Sequence, residues 1–240
     1  MPRCTKMITW AALHTMPVPN AVIFGPDNQP GELTYGAVRV LGEEDQLRAL
    51  HRRLDAFFIS QVAELAKSDE GPSKVYSPFP LFLMTCVGIE TLGKVFFGRI
   101  PNQKDGKPIE SPEDIQREGF LMVCNKLHKH FSRPLSKEQK NAHDELWGVG
   151  AQKNAQTPSQ IIYRLGRHTM VHGYRGRGVF ITEGISEWAL ETGAMLINPY
   201  WLWRSFSIVY KDLWERLHSN KEANNPLKKA ALLYLHDLLN

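Results

Sequence analysis

The spacing of the apolar residues predicts helices along most of this chain. In residues 44–67 they recur at steps of three and four, which places them on one face of an amphipathic helix. The apolar positions of this helix are Leu47, Leu50, Leu54, Phe57, Phe58, Val62 and Leu65. Residues 79–98 are apolar on nearly every side, as expected of a helix inside a core. These patterns predict a mainly α-helical protein.

Three further helices are predicted from their first residues. The pairs Ser111-Pro112, Thr157-Pro158 and Asn198-Pro199 each place a capping side chain directly before a proline. Such a side chain accepts a hydrogen bond from the first helical turn, and proline is well tolerated at the first helical position. The helix from Pro199 has an aromatic and aliphatic stripe that we interpret as core, and residues 226–239 are predicted to form the last helix.

Two segments favour β-structure. In residues 17–45, "AVIFGPDNQPGELTYGAVRVL" contains two β-rich runs around a turn-forming centre, which predicts a hairpin. The stretch "RGVFITEG", residues 177–184, predicts a short strand. We therefore expect one helical-bundle domain over residues 44–240, after an N-terminal extension with a small β-hairpin over residues 1–43. The helices at residues 79–98 and 158–172 are expected to pack as neighbours.

Composition narrows the class of protein only a little. Hydrophobic residues make up 42% and charged residues 22% of the chain, which is ordinary globular usage and excludes wholesale disorder. The net charge of +4 would help a polyanion to approach but identifies no partner. The three cysteines have no paired spacing, which argues against a disulfide framework or a zinc knuckle. With no signal-peptide core, and with Glu90 and Lys94 interrupting the longest apolar stretch, we expect a cytoplasmic protein outside the membrane.

The densest group of chemically active side chains is "YRLGRHTMVHGYRGRG", residues 163–178. The helix that enters this stretch is predicted to end near His172, because the glycine that follows accepts the left-handed conformation that closes helices. On an ideal helical wheel His168 and His172 share a stripe with apolar Ile161. Arg167 lies about 140° from His172 on the same wheel.

Two explanations of this group need no family resemblance. Histidines near the C-terminus of a helix are stabilised by its dipole by about 0.3–1 kcal/mol, which implies no activity. Alternatively, the two imidazoles of His168 and His172 could bind a metal ion from one helix face. No carboxylate or cysteine follows at a familiar spacing to provide a third ligand.

A third explanation comes from a family resemblance. The stretch "RHTMVHGY", from Arg167 to Tyr174, resembles the Arg-polar-x3-His signature of the HEPN superfamily. Its members are helical proteins that include many metal-independent ribonucleases. The glycine and Tyr174 extend the motif to Arg-x4-His-x-Tyr, the form seen in toxins paired with minimal nucleotidyltransferase antitoxins. The resemblance is limited to these residues and to the order of helices around them.

The resemblance implies an endoribonuclease without metal or cofactor, in which a 2′-hydroxyl attacks the adjacent phosphate and leaves a 2′,3′-cyclic phosphate. His172 would transfer a proton, as base or as acid, because histidine titrates near neutral pH. Arg167 would stabilise the charge on the phosphate, and His168 would orient these groups. HEPN proteins typically dimerise with both motifs in one cleft, so we expect a homodimer with a composite site and an antitoxin or defence-system partner. The alternatives are a non-catalytic HEPN-like module that binds RNA, a nucleotide or a protein, and a helical scaffold without activity.

Other residues are candidates for supporting roles. Glu90 lies in mid-helix among apolar residues, where an unpaired carboxylate would be costly, so we expect Lys94 or Arg167 to pair with it. By the same resemblance, Tyr174 would support the site as part of the motif. The side chains that could contact the RNA backbone are those of Arg164, Arg175 and Arg177. For the last two, a position in a solvated turn is an open alternative.

Overall fold

The computed structural model describes residues 34–67, 78–98, 111–147, 155–164, 179–219 and 225–239. In these ranges the protein is mainly helical with a small three-stranded sheet, so the predicted fold class is confirmed at that level. The helices are α1 (Tyr35–Arg39), α2 (Glu43–Leu54), α3 (Ser60–Lys67), α4 (Pro78–Phe97), α5 (Pro112–Leu127), α6 (Lys137–Trp147), α7 (Pro158–Ile161), α8 (Pro199–Ser219) and α9 (Pro226–Leu239). The strands are β1 (Val179–Ile181), β2 (Trp188–Glu191) and β3 (Ala194–Ile197).

The second half of the predicted hairpin is a helix. Thr34 caps α1 by accepting a hydrogen bond from the backbone N–H of Ala37 at 3.1 Å. Tyr35 and Val38, three residues apart, are both buried. The β-branched and aromatic composition of this run suggested a strand, but a cap followed by apolar residues at helical spacing favours a short helix. The first β-rich run and the turn lie outside the described residues.

The helix predicted over residues 44–67 contains one π-helical turn. Leu47, Leu50 and Val62 are buried as predicted, whereas Phe57 is 53% exposed. The π-turn, Asp55–Ile59, separates α2 from α3 and is wider than an α-helical turn. Phe57 lies inside this turn, where side-chain positions depart from the ideal α-helical wheel, which explains why it leaves the apolar face.

Helix α4 is the centre of the core. It packs most extensively against α5 and also against α8 and α9. Within the described residues it is the one helix long and apolar enough to span a membrane, and 61% of its apolar window is buried inside the protein. Gly93 of α4 lies against Gly119 of α5 so closely that a Cβ on either residue would overlap the other's backbone. The absence of these side chains lets the two helices cross almost in backbone contact.

The small sheet has the order β1-β3-β2, with β3 parallel to β1 and antiparallel to β2. Strand β1 lies inside the predicted segment, residues 177–184, and is confirmed. The β2–β3 hairpin was not predicted from the sequence. Its two-residue turn places Thr192 at φ 46° and Gly193 at φ 82°, the left-handed conformation that tight hairpins need.

The other predicted helix starts are confirmed. Ser111 caps α5, Thr157 caps α7, and Asn198 accepts hydrogen bonds from the first backbone N–H groups of α8. The last helix, α9, matches the prediction for residues 226–239. The stripe on α8 lies in the core as interpreted, and its buried aromatic residues are Trp203, Phe206, Tyr210 and Trp214.

Candidate functional site

Most of the predicted site lies outside the described residues. The candidates outside them are Arg167, His168, His172, Tyr174, Arg175 and Arg177. Their proposed geometry therefore stays a prediction. Glu90 and Arg164 are described, and so is the beginning of the helix that leads into the motif.

That helix starts as the sequence predicts and is anchored in the core. The backbone N–H of Ser159 donates to the carbonyl of Phe131 at 3.2 Å, and Ile161 and Ile162 are fully buried. Residues 162–164 adopt a π-helical turn in which Arg164 is partly exposed. Because a π-turn is wider than an α-turn, the ideal wheel that placed the histidines on the stripe of Ile161 does not continue unchanged through this point.

Glu90 is buried in α4 and is held by polar partners from two helices. The ammonium group of Lys94 lies 2.8 Å from its Oε1 atom, and the side-chain amide of Gln116 on α5 donates to the same oxygen. Glu90 is 7% exposed. The expected pairing with Lys94 is confirmed, and the expected pairing with Arg167 lies outside the described residues.

Helix α5 brings Glu90 and the start of the motif helix to one side of the molecule. Gln116, the partner of Glu90, is four residues before Phe120, so their side chains are neighbours on the surface of α5. The ring of Phe120 lies 5.2 Å from that of Tyr163. Glu90 and Tyr163 therefore face adjacent positions along the same helix.

A second group of polar side chains, which the sequence did not single out, lines a cavity of about 790 Å³. The cavity lies between α8 and the continuous helix formed by α2, the π-turn and α3. The lining residues that matter chemically are His51, Asp55, Ile59, Trp203, Tyr210 and His218. A mainly apolar cavity of this size with a few convergent polar groups is typical of a small-molecule site.

The polar groups of this cavity form a connected chain. The hydroxyl of Tyr210 donates to Asp55 Oδ1 at 2.8 Å, and His51 Nε2 lies 3.5 Å from Asp55 Oδ2. The other ring nitrogen of His51, Nδ1, is 3.3 Å from His218 Nε2. His51 also stacks on Trp214 with the ring centroids 4.2 Å apart, which fixes the plane of its ring. His51 thus bridges Asp55 and His218.

The surroundings favour the neutral form of both rings that contact Asp55. Burial lowers the pKa of His51, and His218 acts in the same direction, while the charge of Asp55 opposes them. Burial and the hydrogen bond to Asp55 raise the pKa of Tyr210, so its hydroxyl remains a donor. At neutral pH Asp55 therefore has two neutral neighbours, and one of them, Tyr210, donates a hydrogen bond to it.

Sequence spacing contained only part of the information needed to find this cavity. His51 and Asp55 are four residues apart in one helix, a spacing that allows contact. The partner His218 is 167 residues further along the chain, and only the packing of α8 against α2 brings it to His51. Tyr210 and Trp214 belong to the stripe interpreted as core; they are core residues, and they also form a wall of the cavity.

Neither a metal-binding group nor a likeness to known proteins gives a further guide to the chemistry. Across the ranges that the structure describes, no three His, Cys, Asp or Glu side chains are grouped so that they could hold a metal ion. No family model, curated protein or solved structure with which the chain was compared is similar to it. Function is therefore inferred from the motif, from the surroundings of Glu90 and from the cavity beside Asp55.

Proposed function

We propose that the protein is a metal-independent endoribonuclease of the HEPN type. The observation that supports the proposal is the string from Arg167 to Tyr174, placed where a helix anchored at Thr157 is predicted to end. Cleavage without a metal needs a group that exchanges protons near neutral pH and a permanent cation for the phosphate. His172 and Arg167 meet these two needs, and His168 orients them.

The position of Glu90 supports this assignment indirectly. Tyr163 precedes Arg167 by four residues, about one helical turn. Since Glu90 and Tyr163 face adjacent positions on α5, Arg167 would have to reach only a short distance beyond Tyr163 to approach the carboxylate. In the proposal Glu90 positions Arg167, and Lys94 and Gln116 hold Glu90 in place.

The proposal includes a homodimer in which two motifs share one cleft. Arg167 and His172 diverge on an ideal wheel, and a partner subunit would relieve that difficulty because each arginine could act with the other subunit's histidine. A toxin or defence effector with a dedicated partner protein fits the form of the motif. Charge-reversing substitutions around the motif should then yield monomers that cut no RNA.

The test is to incubate the purified full chain with total RNA in EDTA. We expect cleavage products that end in 2′,3′-cyclic phosphate. Arg167→Ala and His172→Ala should each lower the rate by about 100-fold or more, because they remove the phosphate contact and the proton transfer. His168→Ala should give a partial loss. None of the three should change the melting temperature by more than a few degrees.

Matched controls come from exposed residues of the same types. Arg204→Ala on α8 and His236→Ala on α9 should keep wild-type activity, since both positions are exposed and lie far from the motif in sequence. Near-wild-type activity of either motif variant would refute the catalytic assignment. If a broad panel of RNAs is bound but never cut, the non-catalytic module becomes the better explanation. A fully active monomer in light scattering would refute the shared cleft.

A further inference from the structure

The mainly apolar lining of the cavity between α2–α3 and α8 includes one acidic side chain next to buried aromatic rings, that of Asp55. The side chain of Asp55 is 47% exposed and lines the cavity. Tyr210 donates a hydrogen bond to it and His51 Nε2 lies 3.5 Å away, but neither neighbour adds positive charge in its neutral form, and burial favours the neutral form of His51. A bound molecule near Asp55 would therefore meet a carboxylate whose charge is not neutralised by these two neighbours.

The charged residues at the rim of the cavity do not offset the negative charge of Asp55. Lys211 and Glu215, both exposed, lie four residues apart on α8 and contribute opposite charges. Their fields largely offset each other at a distance, and both are screened by solvent. Asp55 therefore decides which charge a ligand should have.

We propose that this cavity binds a small organic cation, a primary ammonium or amidinium group on an apolar body. The cationic group would lie against Asp55, and the body would lie against Ile59, Ala63 and Trp203. Partial desolvation strengthens such a charge pair, and aromatic walls add a favourable contact with cations. An anion of the same shape would meet repulsion at Asp55, and a neutral molecule would gain only from apolar burial. This proposal does not rest on the ribonuclease function.

The test compares three probes with one carbon skeleton: phenylbutylamine, phenylbutanol and phenylbutyrate. Titration calorimetry and tryptophan fluorescence at neutral pH would measure their binding to the full chain. We expect the amine to bind about tenfold more tightly than the alcohol, and the anion to bind most weakly. Fluorescence should change on binding because Trp203 and Trp214 line the cavity.

Three variants then locate the binding. Asp55→Asn keeps the shape of the side chain but removes its charge, so the preference for amine over alcohol should disappear. Asp212→Asn is the matched control, since Asp212 lies on α8, pairs with Arg216 at 2.8 Å and does not line the cavity. It should leave all three affinities unchanged. Ala63→Phe fills the cavity without altering a polar group and should abolish binding of every probe.

Several results would overturn the proposal. Equal affinities for amine and alcohol in the wild-type protein would show an apolar cavity without charge preference. Tighter binding of phenylbutyrate would reverse the assigned sign. If no probe binds up to its solubility limit, or if Ala63→Phe binds the amine normally, the cavity is not the site. The Ala63→Phe result remains decisive even if Asp55→Asn fails to fold.

Discussion

Glu90 and Asp55 are both helical carboxylates with a basic residue four positions away, yet their surroundings differ. The Glu90 side chain is 10% exposed and accepts from Lys94 and from Gln116 on a neighbouring helix. The Asp55 side chain is 47% exposed, accepts a hydrogen bond from Tyr210 and has the neutral ring of His51 3.5 Å away. Identical spacing thus produces two kinds of site. What separates them is the helix opposite: α5 closes over Glu90, whereas α8 leaves a cavity beside Asp55.

The first test of this difference between Glu90 and Asp55 is a substitution that separates α5 from α4. Gly93→Ala places a Cβ where the backbone of Gly119 already lies, and neither backbone can move without separating the helices. We expect the free energy of unfolding to fall by about 3 kcal/mol, measured by urea denaturation. The cavity beside Asp55 lies against α8 and should keep its affinity for amines wherever the variant remains folded.

Gly42→Ala is the control for this substitution. A Cβ at Gly42 would meet nothing within 4 Å, and the residue has an ordinary negative φ of −64°. Alanine is a poorer helix cap than glycine, which lowers stability, but it also reduces the entropy of the unfolded chain, which raises stability. The free energy of unfolding should therefore change by less than about 1 kcal/mol. An equal loss of stability in both variants would contradict the close crossing of α4 and α5.

The second prediction compares the two carboxylates directly. Glu90→Ala removes an acceptor that two donors share in a buried place, and we expect it to cost about 2 kcal/mol in the free energy of unfolding. Asp55→Ala should cost less than about 1 kcal/mol, because water in the cavity can replace the lost acceptor. Both values can be measured by urea denaturation at neutral pH. If Asp55→Ala proves the more destabilising, the division between a structural and an accessible carboxylate is wrong.

The sequence predicts the helices better than it predicts these sites. Features that depend only on nearby residues are predicted correctly. Ser111, Thr157 and Asn198 are found as helix caps because a capping hydrogen bond spans only a few residues. The same reasoning finds Lys94 as a partner of Glu90. It cannot find Gln116, which is 26 residues away, because that contact depends on how α4 and α5 cross.

The errors also have local physical causes. The run that becomes α1 was predicted as a strand from its composition, although Tyr35 and Val38 have helical spacing after a capping Thr34. Phe57 was placed on the apolar face because the wheel assumes an unbroken α-helix, and the π-turn breaks that assumption. The link between His51 and His218 joins the two ends of the described chain, a distance at which spacing contains no information.

The smallest expected effect is a dependence of stability on pH that comes from His51. Its pKa in the folded protein lies below the usual value of about 6.5, which also applies to the unfolded chain. Between those two pKa values the unfolded chain binds a proton that the folded protein does not. Stability should therefore be complete above about pH 6.5 and decrease as the pH falls toward the folded pKa.

The groups that face His51 decide the size of this effect. Asp55 on its own helix favours the protonated ring, whereas His218 on α8 opposes it and Tyr210 stays neutral. Urea denaturation of the wild type and of His51→Gln at about pH 7.5 and about pH 5.5 would isolate the contribution of His51, because every other group titrates in both proteins. The variant should lose less stability on acidification than the wild type.

The control is His236→Gln, at an exposed position on α9, which should behave as the wild type does. Equal losses in wild type and His51→Gln would mean that folding does not lower the pKa of His51. A larger loss for His51→Gln than for the wild type would mean that Asp55 stabilises a charged imidazole in the folded protein, and the reason for expecting a cation in the cavity would disappear with it.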